Sequence, residues 1–371
     1  MSNQCKKSNF HGKLPTITSN NENRFSVTLK DIAQQAGVSV STVSRVLNGT
    51  ATISQPVKTQ IMDIAQATGY LDKVRKNKAV EAPSLAGKKL LLVTPRDAIL
   101  NRSGNMISYA LVESIKKACN EQNIALTSFL TEANRLSVQK LHQLLNKQQY
   151  DGIVVVWADQ SELLAVISDH HIPTVLINGE DRAMNVDSVG VSNRYGAMAA
   201  VNHLLDKGHH NIGLLSYSGR QTIYLRENGY RDSLYNAKQP INPNHHITAE
   251  NFSDDAAEAA VEAWLANHDT LPVSALFCVT DGLALGAMSA LQKHGYRIPE
   301  DISIVGMDGI LPLDLIEPQL TTVKLPFEPL PAEALRILER QICFGEKREY
   351  HIHLELSCEL IERDSVRAID G

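Results

Sequence analysis

A short segment near the N-terminus combines hydrogen-bonding side chains with an absence of acidic ones. Ser39, Ser41 and Arg45 belong to the outward face of a predicted helix, and no acidic residue lies between Asp31 and Asp63. Hydroxyl and guanidinium groups donate hydrogen bonds to phosphates and to base edges, so a helix that presents them can enter a major groove. The chemistry that this segment predicts is contact with double-stranded DNA.

A second set of polar residues follows apolar runs further along the chain. Asn178 comes after the run PTVLI, Thr280 after SALFCV, and Asp308 ends the run ISIVGMD. Such runs are typical of buried parallel strands, and ligands of open α/β sheets lie outside the carboxyl ends of strands. These side chains are therefore candidates for binding a hydroxyl-rich small molecule. Asp281 is interpreted first as a helix N-cap and second as a ligand contact.

Motifs of catalysis and of cofactor binding are missing from the sequence. There is no G-x-S-x-G nucleophile elbow, and no G-x-G-x-x-G or G-x-x-x-x-G-K-[ST] loop follows a predicted strand. The sequence thus predicts neither an enzyme nor a bound cofactor. Three His-His pairs and the pair His351 and His353 have no acidic partner at ligand spacing, so we interpret them as solvated and expect no metal.

The charge of the chain is unevenly distributed. Residues 1–80 hold 11 basic and 4 acidic side chains, a net charge of +7, and residues 81–371 hold 25 basic and 37 acidic ones, a net charge of −12. A basic head on an acidic body is typical of a polyanion-binding module joined to a larger domain. Five scattered cysteines, no secretory signal and no apolar stretch of membrane-spanning length favour a cytoplasmic, nucleoid-associated protein without a membrane partner.

Three short helices are predicted around the basic segment. Thr28 is placed to cap the first helix with Asp31 at its third position, and Gly37 follows the last apolar residue as a left-handed cap. A second helix is predicted over Val40–Leu47 and a third over residues 55–68. Two helices joined by a short glycine-containing turn and backed by a third indicate a helix-turn-helix domain.

Beyond Gly87, apolar runs alternate with amphipathic segments in two successive halves. This βαβ rhythm predicts an α/β body of two doubly wound, Rossmann-like subdomains with a cleft between them. The predicted strands are 89–94, 124–129, 151–157, 173–178, 211–217, 274–280 and 302–308, and the predicted helices lie near 106–121, 136–147, 160–169, 194–207, 222–236, 254–267 and 281–294.

The N-terminal segment resembles a known family. VTLKDIAQQAGVSVSTVSRVLN is very similar to the N-terminal signature of the LacI/GalR family of bacterial transcription regulators. The resemblance implies that Val40 and Ser41 set base preference, that Arg45 contacts a base or the backbone, and that Leu29 and Ser39 grip phosphates. The residues expected to contact DNA are Thr28, Leu29, Ser39, Val40, Ser41, Thr42, Ser44, Arg45 and Asn48.

The resemblance extends over residues 27 to about 366, through blocks such as TDGLALGA at 280–287 and PEDISIVG at 299–306. It implies the periplasmic-binding-protein type I fold, in which the chain returns to the first subdomain near 324–343 and finishes in the second. Arg226 matches the arginine with which the family binds ligand oxygens, Phe252 and Phe327 match two aromatic cleft positions, and Thr222 is a weaker candidate. The expected effector-binding residues are Asn178, Thr222, Arg226, Phe252, Thr280, Asp281, Asp308 and Phe327.

The cleft departs from the family pattern in three places. Many sugar-binding relatives have Asp where Asn178 stands and Asn where Thr280 stands, and the usual aromatic pair of the first subdomain is replaced by Ile107 and Ser108. These departures weaken the argument for any particular sugar. The effector class that the sequence predicts is a sugar or sugar derivative.

The linker also departs from the family pattern. Relatives carry a leucine that wedges into the minor groove, and this chain has Ala79 at that position, with Val80 in its place if the register slips by one. Alanine is too short to separate a base step, so we expect a hinge that binds phosphates and bends DNA weakly. The hinge residues in this prediction are Lys73, Arg75, Lys76, Lys78 and Ala79.

The sequence therefore predicts an effector-responsive repressor that binds operator DNA as a homodimer, since one helix-turn-helix covers only a half-site. The alternative is a solute-binding protein for sugar uptake, which needs a signal peptide and has no use for residues 27–70. The expected divisions are a polar, disordered extension over 1–26, the DNA-binding domain over 27–72, the linker over 73–87 and the effector-binding and dimerisation domain over 88–371.

Overall fold

The chain falls into two units, residues 1–82 and residues 83–371, and each is described by itself. The predictions for residues 1–26, for Asn48 and for the hinge lie outside the residues that the structure describes. The computed structural model describes residues 27–47, 53–68, 70–71, 84–96, 99, 106–132, 135–158, 160–309, 315–345 and 349–369.

The described residues of the first unit form three helices, α1 (Leu29–Ala36), α2 (Val40–Leu47) and α3 (Gln55–Ala67), as predicted. The start of α1 is fixed by a reciprocal capping box. The Oγ1 atom of Thr28 accepts a hydrogen bond from the Asp31 backbone N–H, and the Asp31 carboxylate accepts one from the Thr28 N–H at 2.7 Å. Gly37 ends α1 at a φ of 66°, a left-handed conformation that glycine adopts without strain.

A small apolar core orients these helices. Ile32 on α1, Val43 on α2 and Ile61 on α3 are fully buried and pack together, which fixes the buried face of α2. The opposite face of α2 is thereby left at the surface of the unit.

The second unit is built on two six-stranded sheets. Sheet 1 has the order β11-β5-β4-β3-β1-β2 and sheet 2 the order β12-β10-β9-β8-β6-β7, so the two repeat one topology. All neighbours are parallel except β10 and β12. The strands are β1 (Lys89–Pro95), β2 (Ala125–Thr131), β3 (Gly152–Val156), β4 (Thr174–Ile177), β5 (Asp187–Val191), β6 (Ile212–Tyr217), β7 (His246–Ala249), β8 (Ala275–Cys278), β9 (Ser303–Asp308), β10 (Thr321–Lys324), β11 (His353–Leu356) and β12 (Glu359–Ile361).

Helices separate most of the consecutive strands, as the sequence predicts. They cover sheets whose central strands are continuously apolar and buried, for example the run Gly152–Val156. The helices of this unit are α4 (Met106–Glu121), α5 (Arg135–Lys147), α6 (Ser161–Asp169), α7 (Asn193–Asp206), α8 (Gln221–Asn236), α9 (Asp254–Leu265), α10 (Asp281–Lys293) and α11 (Leu330–Phe344), and a short 3₁₀ turn covers Pro243–His245.

The chain crosses between the two sheets three times. It leaves sheet 1 after β5, returns from β10 to α11, which packs on sheet 1, and passes from β11 in sheet 1 to β12 in sheet 2. This path confirms the implied return near 324–343 and the finish in the second subdomain. The final strands β11 and β12 each occupy one edge of a sheet.

Candidate functional site

The exposed face of α2 is a compact set of hydroxyl groups beside one arginine. The Ser39 Oγ atom accepts a hydrogen bond from the Thr42 backbone N–H at 3.1 Å, which caps the helix. The same oxygen lies 2.8 Å from Ser41 Oγ and 2.8 Å from Thr42 Oγ1. Val40 is 43% exposed and Arg45 is exposed as well. The face therefore offers polar donors, one cation and one apolar side chain to a partner.

Most of the predicted DNA-contacting residues are exposed or half-buried. Thr28 is exposed and Leu29 is half-buried at the start of α1, and Ser44 is half-buried on α2. Lys30, exposed beside Thr28, adds a second cation to this surface. These positions suit contact with a sugar-phosphate backbone by helix starts and with base edges by α2.

A cavity of about 260 Å³ lies at the carboxyl ends of strands from both sheets of the second unit. Two of the strand ends, those of β3 and β8, flank the positions where the strand order of each sheet reverses, which is where open α/β sheets bind ligands. Seven of the eight residues predicted from the sequence line it, namely Asn178, Thr222, Arg226, Phe252, Thr280, Asp308 and Phe327.

Arg226 is held in the cavity wall by three groups from separate parts of the chain. Its Nε donates to Asn193 Oδ1 at 2.9 Å, and its Nη1 donates to the Val279 carbonyl at 2.6 Å and to Asp308 Oδ1 at 2.9 Å. The side chains of Arg226 and Asp308 are 5% and 6% exposed. The remaining nitrogen, Nη2, donates to no residue that the structure describes, so it is available to a ligand.

Two buried carboxyl groups lie close to one another here, Asp308 in the cavity wall and Asp281 outside it. Burial raises the pKa of Asp308, and the neighbouring Arg226 opposes that rise. Burial and the Asp308 carboxylate raise the pKa of Asp281 to about 7. The polar floor of the cavity is therefore one carboxylate paired with a guanidinium, beside a carboxyl group that changes charge near neutral pH.

Asp281 differs from the sequence expectation, because it neither caps α10 nor lines the cavity. The cap is Thr280, whose Oγ1 accepts from the Leu283 N–H at 3.2 Å. The Asp281 carboxylate instead accepts hydrogen bonds from the Thr322 hydroxyl at 2.5 Å and from the Gly309 N–H at 2.7 Å. Its side chain fixes the backbone that follows Asp308.

Asn178 presents an unsatisfied acceptor to the cavity. The residue is 5% exposed, and its Oδ1 atom has no hydrogen-bond partner among the described residues. Since a buried polar atom without a partner costs free energy, a ligand donor is the natural complement. Asn178, Trp157 and Asp308 all line the cavity at a positive φ, of 50°, 53° and 145°. Such backbone strain is found where a site must be held in place.

Aromatic rings form the rest of the wall, and some of them were not predicted. Phe252 is half-buried and Phe327 is 8% exposed, and both reach the cavity as expected. Trp157, Tyr217 and Arg220 also line it. Trp157 immediately follows β3 and Tyr217 ends β6, so a search of every strand end, rather than of polar ones only, would have found these two. Arg220 lies three residues past the end of β6, at the N-cap of α8. Ile107 and Ser108, the atypical pair of the first subdomain, complete this side.

Metal binding and membrane insertion find no support in the described part of the chain. It holds no group of three or more His, Cys, Asp or Glu side chains arranged around a metal. Among the described helices, none is long and apolar enough for a bilayer crossing. One expected solvated histidine, His209, is in fact buried, with its ring nitrogens 2.9 Å from Ser274 Oγ and 3.0 Å from the Arg367 carbonyl.

Comparison with known proteins matches one family model within each unit. Residues 28–72 match the family described as bacterial regulatory proteins, lacI family, and residues 201–366 match the periplasmic binding protein-like domain. The HTH-type transcriptional repressor PurR of Vibrio cholerae is 30% identical over 345 residues, which cover 92% of this chain and 98% of that protein.

Solved structures show the same fold. The transcriptional regulator CelR–cellobiose complex superposes with a TM-score of 0.66 at 24% identity, over 92% of this chain and all of that one. A ribose-bound LacI family regulator from Enterococcus faecium gives a TM-score of 0.62 at 22% identity, over 76% of this chain and all of that one. With a helix-turn-helix unit, a two-sheet body and a 30% identical relative matched almost end to end, the chain belongs to the LacI family of bacterial transcription regulators.

Proposed function

We propose that this chain is a homodimeric repressor whose operator affinity is set by a small-molecule effector bound in the cavity between the two sheets. The observation that carries the proposal is the presence, in one chain, of an exposed hydrogen-bonding face on α2 and a polar and aromatic cavity at the carboxyl ends of both sheets. A relative that matches 92% of this chain carries the name of a repressor.

DNA recognition is assigned to the first unit. Val40, Ser41 and Arg45 face the bases in this proposal, and Thr28, Leu29, Lys30 and Ser39 hold the backbone. Two copies are required, because one helix-turn-helix reads one half-site and a two-fold operator has two. The exposed face of α2 carries no carboxylate, which supports its assignment to DNA contact.

The effector is proposed to be a sugar or sugar derivative. Hydroxyl groups of such a ligand match Asn178 Oδ1, Thr222, Thr280 and the free nitrogen of Arg226, and its apolar face matches the rings of Phe252 and Phe327. Two regulators of the same fold have been solved with bound cellobiose and with bound ribose, which supports this class of ligand. The protein performs no catalysis in this proposal, and its output is the change in DNA affinity.

A gel shift with genomic fragments from around the gene tests the function. A repressor retards one or a few fragments in the presence of competitor DNA. The matched control is Arg45→Ala, which lies on the exposed face of α2 and leaves the buried face intact. Failure of the wild-type protein to retard any fragment, together with tight sugar binding, would favour the solute-binding alternative.

A further inference from the structure

A second cavity, of about 220 Å³, lies beside two of the crossovers between the sheets. Sheet 1 contributes residues of β5, of β11 and of the loop 178–184 that follows β4, and helix α8 contributes Thr222 and Leu225. Of its described lining residues, Asn178 and Thr222 alone also line the cavity proposed for the effector, which we call the effector cavity. The second cavity is therefore a separate compartment.

The charge of the second cavity is acidic. Its described lining residues include the carboxylates of Glu180, Asp181 and Glu355 and no lysine or arginine, and none of the three carboxylates forms an ion pair with a described residue. The Asp181 carboxylate accepts hydrogen bonds from three backbone N–H groups that follow it in the chain. The Glu355 carboxylate accepts one from the Ser192 hydroxyl at 2.8 Å. Apart from His353, the described wall therefore offers no side chain that could balance this charge.

Two oxygen atoms of this wall are buried without a hydrogen-bond partner among the described residues, Asn178 Oδ1 and Glu180 Oε2. Asn178 is 5% exposed, and Glu180 forms neither a hydrogen bond nor an ion pair with any described residue. A buried acceptor without a donor is unfavourable, and a buried carboxylate without a partner is more so. An amide oxygen has two lone pairs, so Asn178 can accept from a ligand in each cavity. The complement that this wall lacks is a cation with N–H donors.

The size and the apolar part of the wall limit this cation. The cavity has room for about seven water molecules at about 30 Å³ each. Val191, Leu225 and Leu354 supply apolar surface that an alkyl chain can cover. The described residues hold no group of three or more His, Cys, Asp or Glu side chains arranged around a metal ion. A small organic ammonium ion, with three N–H donors and an apolar chain, therefore fits this wall better than a metal.

We propose that the second cavity binds a short aliphatic amine, whose ammonium group donates to Glu180 Oε2 and to Asn178 Oδ1. In a short diamine, the second ammonium group pairs with Glu355, which is exposed. The bound amine contacts strands of sheet 1 and helix α8 at once, so it stabilises the folded second unit. This site is additional to the effector cavity, and its occupation does not depend on the identity of the effector.

The experiment uses the full-length protein without DNA, and calorimetry and thermal shift are the readouts. Putrescine, cadaverine and butylamine are the amine probes, butanol is the neutral counterpart of butylamine, and potassium chloride at equal ionic strength is the control for screening. We expect putrescine and butylamine to raise the melting temperature. Butylamine should bind ten-fold or more tightly than butanol, and potassium chloride should not reproduce the effect.

Four variants locate the bound amine. Glu180→Gln keeps the shape of the side chain and removes its charge, so the affinity for putrescine should fall at least ten-fold. Glu355→Gln should weaken putrescine by a smaller factor and leave butylamine unchanged. Phe252→Leu, which alters the effector cavity alone, should bind both amines as the wild type does. Glu162→Gln, at an exposed position on α6 outside both cavities, is the matched control for loss of one carboxylate.

Several results overturn the inference. These are no binding of any amine to the wild type, an equal effect of butanol or of potassium chloride, and an affinity for putrescine that survives in Glu180→Gln. Loss of amine binding in Phe252→Leu would place the amine among the rings of the effector cavity and would also overturn it. If Glu180→Gln does not fold, Glu180→Asp replaces it, and the shorter side chain should weaken putrescine at least three-fold. Operator binding is measured separately, so the proposed function stands if the amine site fails.

Discussion

The Nη1 atom of Arg226 lies 2.9 Å from the Oδ1 atom of Asp308, and the two residues are 82 positions apart in the chain. The same guanidinium also holds Asn193, at the start of α7, and the carbonyl of Val279, which follows β8. One side chain therefore connects the ends of two strands of sheet 2 with the first crossover from sheet 1. Its orientation is fixed before a ligand arrives, which lowers the entropy lost on binding.

Arg226→Ala and Asp308→Ala are each expected to abolish the effector response. The cause is loss of a fixed ligand contact, and removal of one partner of a buried ion pair also lowers the free energy of unfolding by about 3–5 kcal/mol. Operator titration in the presence of effector measures the loss of response. Urea unfolding measures the change in the free energy of unfolding. The double variant Arg226→Met/Asp308→Leu should lose clearly less stability than the sum of the two single changes.

Operator affinity of these variants, for samples that remain folded, should stay near that of the wild type, because the residues proposed to contact DNA belong to the other unit. The exposed pair Arg297 and Asp301 is the control for the ion pair, and its disruption should change stability little, since water replaces the partner. A variant that still responds at the normal effector concentration excludes that residue from the site.

Stability should fall as pH rises towards neutrality. The pKa of Asp281 is raised from 3.8 to about 7 by burial and by Asp308, so the folded protein binds this proton more tightly than the unfolded chain. The resulting stabilisation is complete below about pH 4 and is lost as pH passes through 7, and the raised pKa of Asp308 acts in the same direction. Thermal melting between pH 5 and 8 measures the slope.

Asp281→Asn should flatten this slope, because an amide can accept from the Gly309 N–H and donate to the Thr322 oxygen without titrating. Asp301→Asn is the control, since hydrogen bonds from Arg297 hold the pKa of Asp301 at about 2, below the range measured. An unchanged slope in Asp281→Asn would show that another group titrates.

Gly229→Ala should destabilise the second unit. A methyl group there would overlap the Arg194 carbonyl oxygen and lie 2.8 Å from the Ala197 Cβ, both on the helix α7 that packs against α8. Overpacking of this kind costs about 1–3 kcal/mol, which outweighs the gain of about 1 kcal/mol from replacing glycine in a helix. Denaturant unfolding measures the difference.

Gly196→Ala is the matched control on α7. Its added methyl would meet chiefly the terminal Cε of Met307 at 2.7 Å, and a flexible side chain can move where backbone cannot. Its unfolding free energy should therefore fall less than that of Gly229→Ala. Equal losses for both would indicate that helix packing at Gly229 is looser than the distances imply.

Arg45→Ala should lower operator affinity by about 1–3 kcal/mol if Arg45 reads a base. Lys30→Ala, at the exposed start of α1, should weaken binding to all DNA about equally and flatten the dependence on salt. Fluorescence anisotropy with operator and random duplexes at several salt concentrations distinguishes the two roles. Unchanged operator affinity of the Arg45 variant would exclude α2 as the helix that contacts the bases.

The hinge prediction concerns residues outside the described ranges and stays a prediction. With Ala79 at the wedge position and Lys73, Arg75, Lys76 and Lys78 around it, we expect weak bending and strong salt dependence. Circular-permutation gel mobility compares the wild type with Ala79→Leu, which should bend the operator more. A strong bend by the wild type that is lost in Val80→Ala would instead establish the register slipped by one residue.

Most of the strands that the sequence predicts are mainly apolar, because burial on both faces leaves a continuous signal; the exception is the more polar edge strand β2. The sequence does not predict β5, β7, β10, β11 and β12, since these are short and carry polar or charged residues, as in His353–Leu356 at an edge. Pairing with a neighbour, rather than composition, makes such segments extended.

The same distinction holds at the cavity. Asp308 is predictable because a charged residue at the end of an apolar run is conspicuous, whereas Arg226 is predictable only through the resemblance to the family. Trp157 is hidden, since it extends the apolar run of β3 and its place in the wall depends on a φ of 53°. Arg220 resembles a loop residue in sequence, and only the approach of rings from two sheets gives it a role.

The edge positions of β11 and β12 constrain how this protein is made. During synthesis, neither sheet can gain its sixth strand until residues 353–361 have left the ribosome. A nascent chain that stalls earlier exposes the free edges of β5 and β10, and unpaired edges of this kind recruit other chains into aggregates. Translation through the last short segment therefore closes both sheets almost at once.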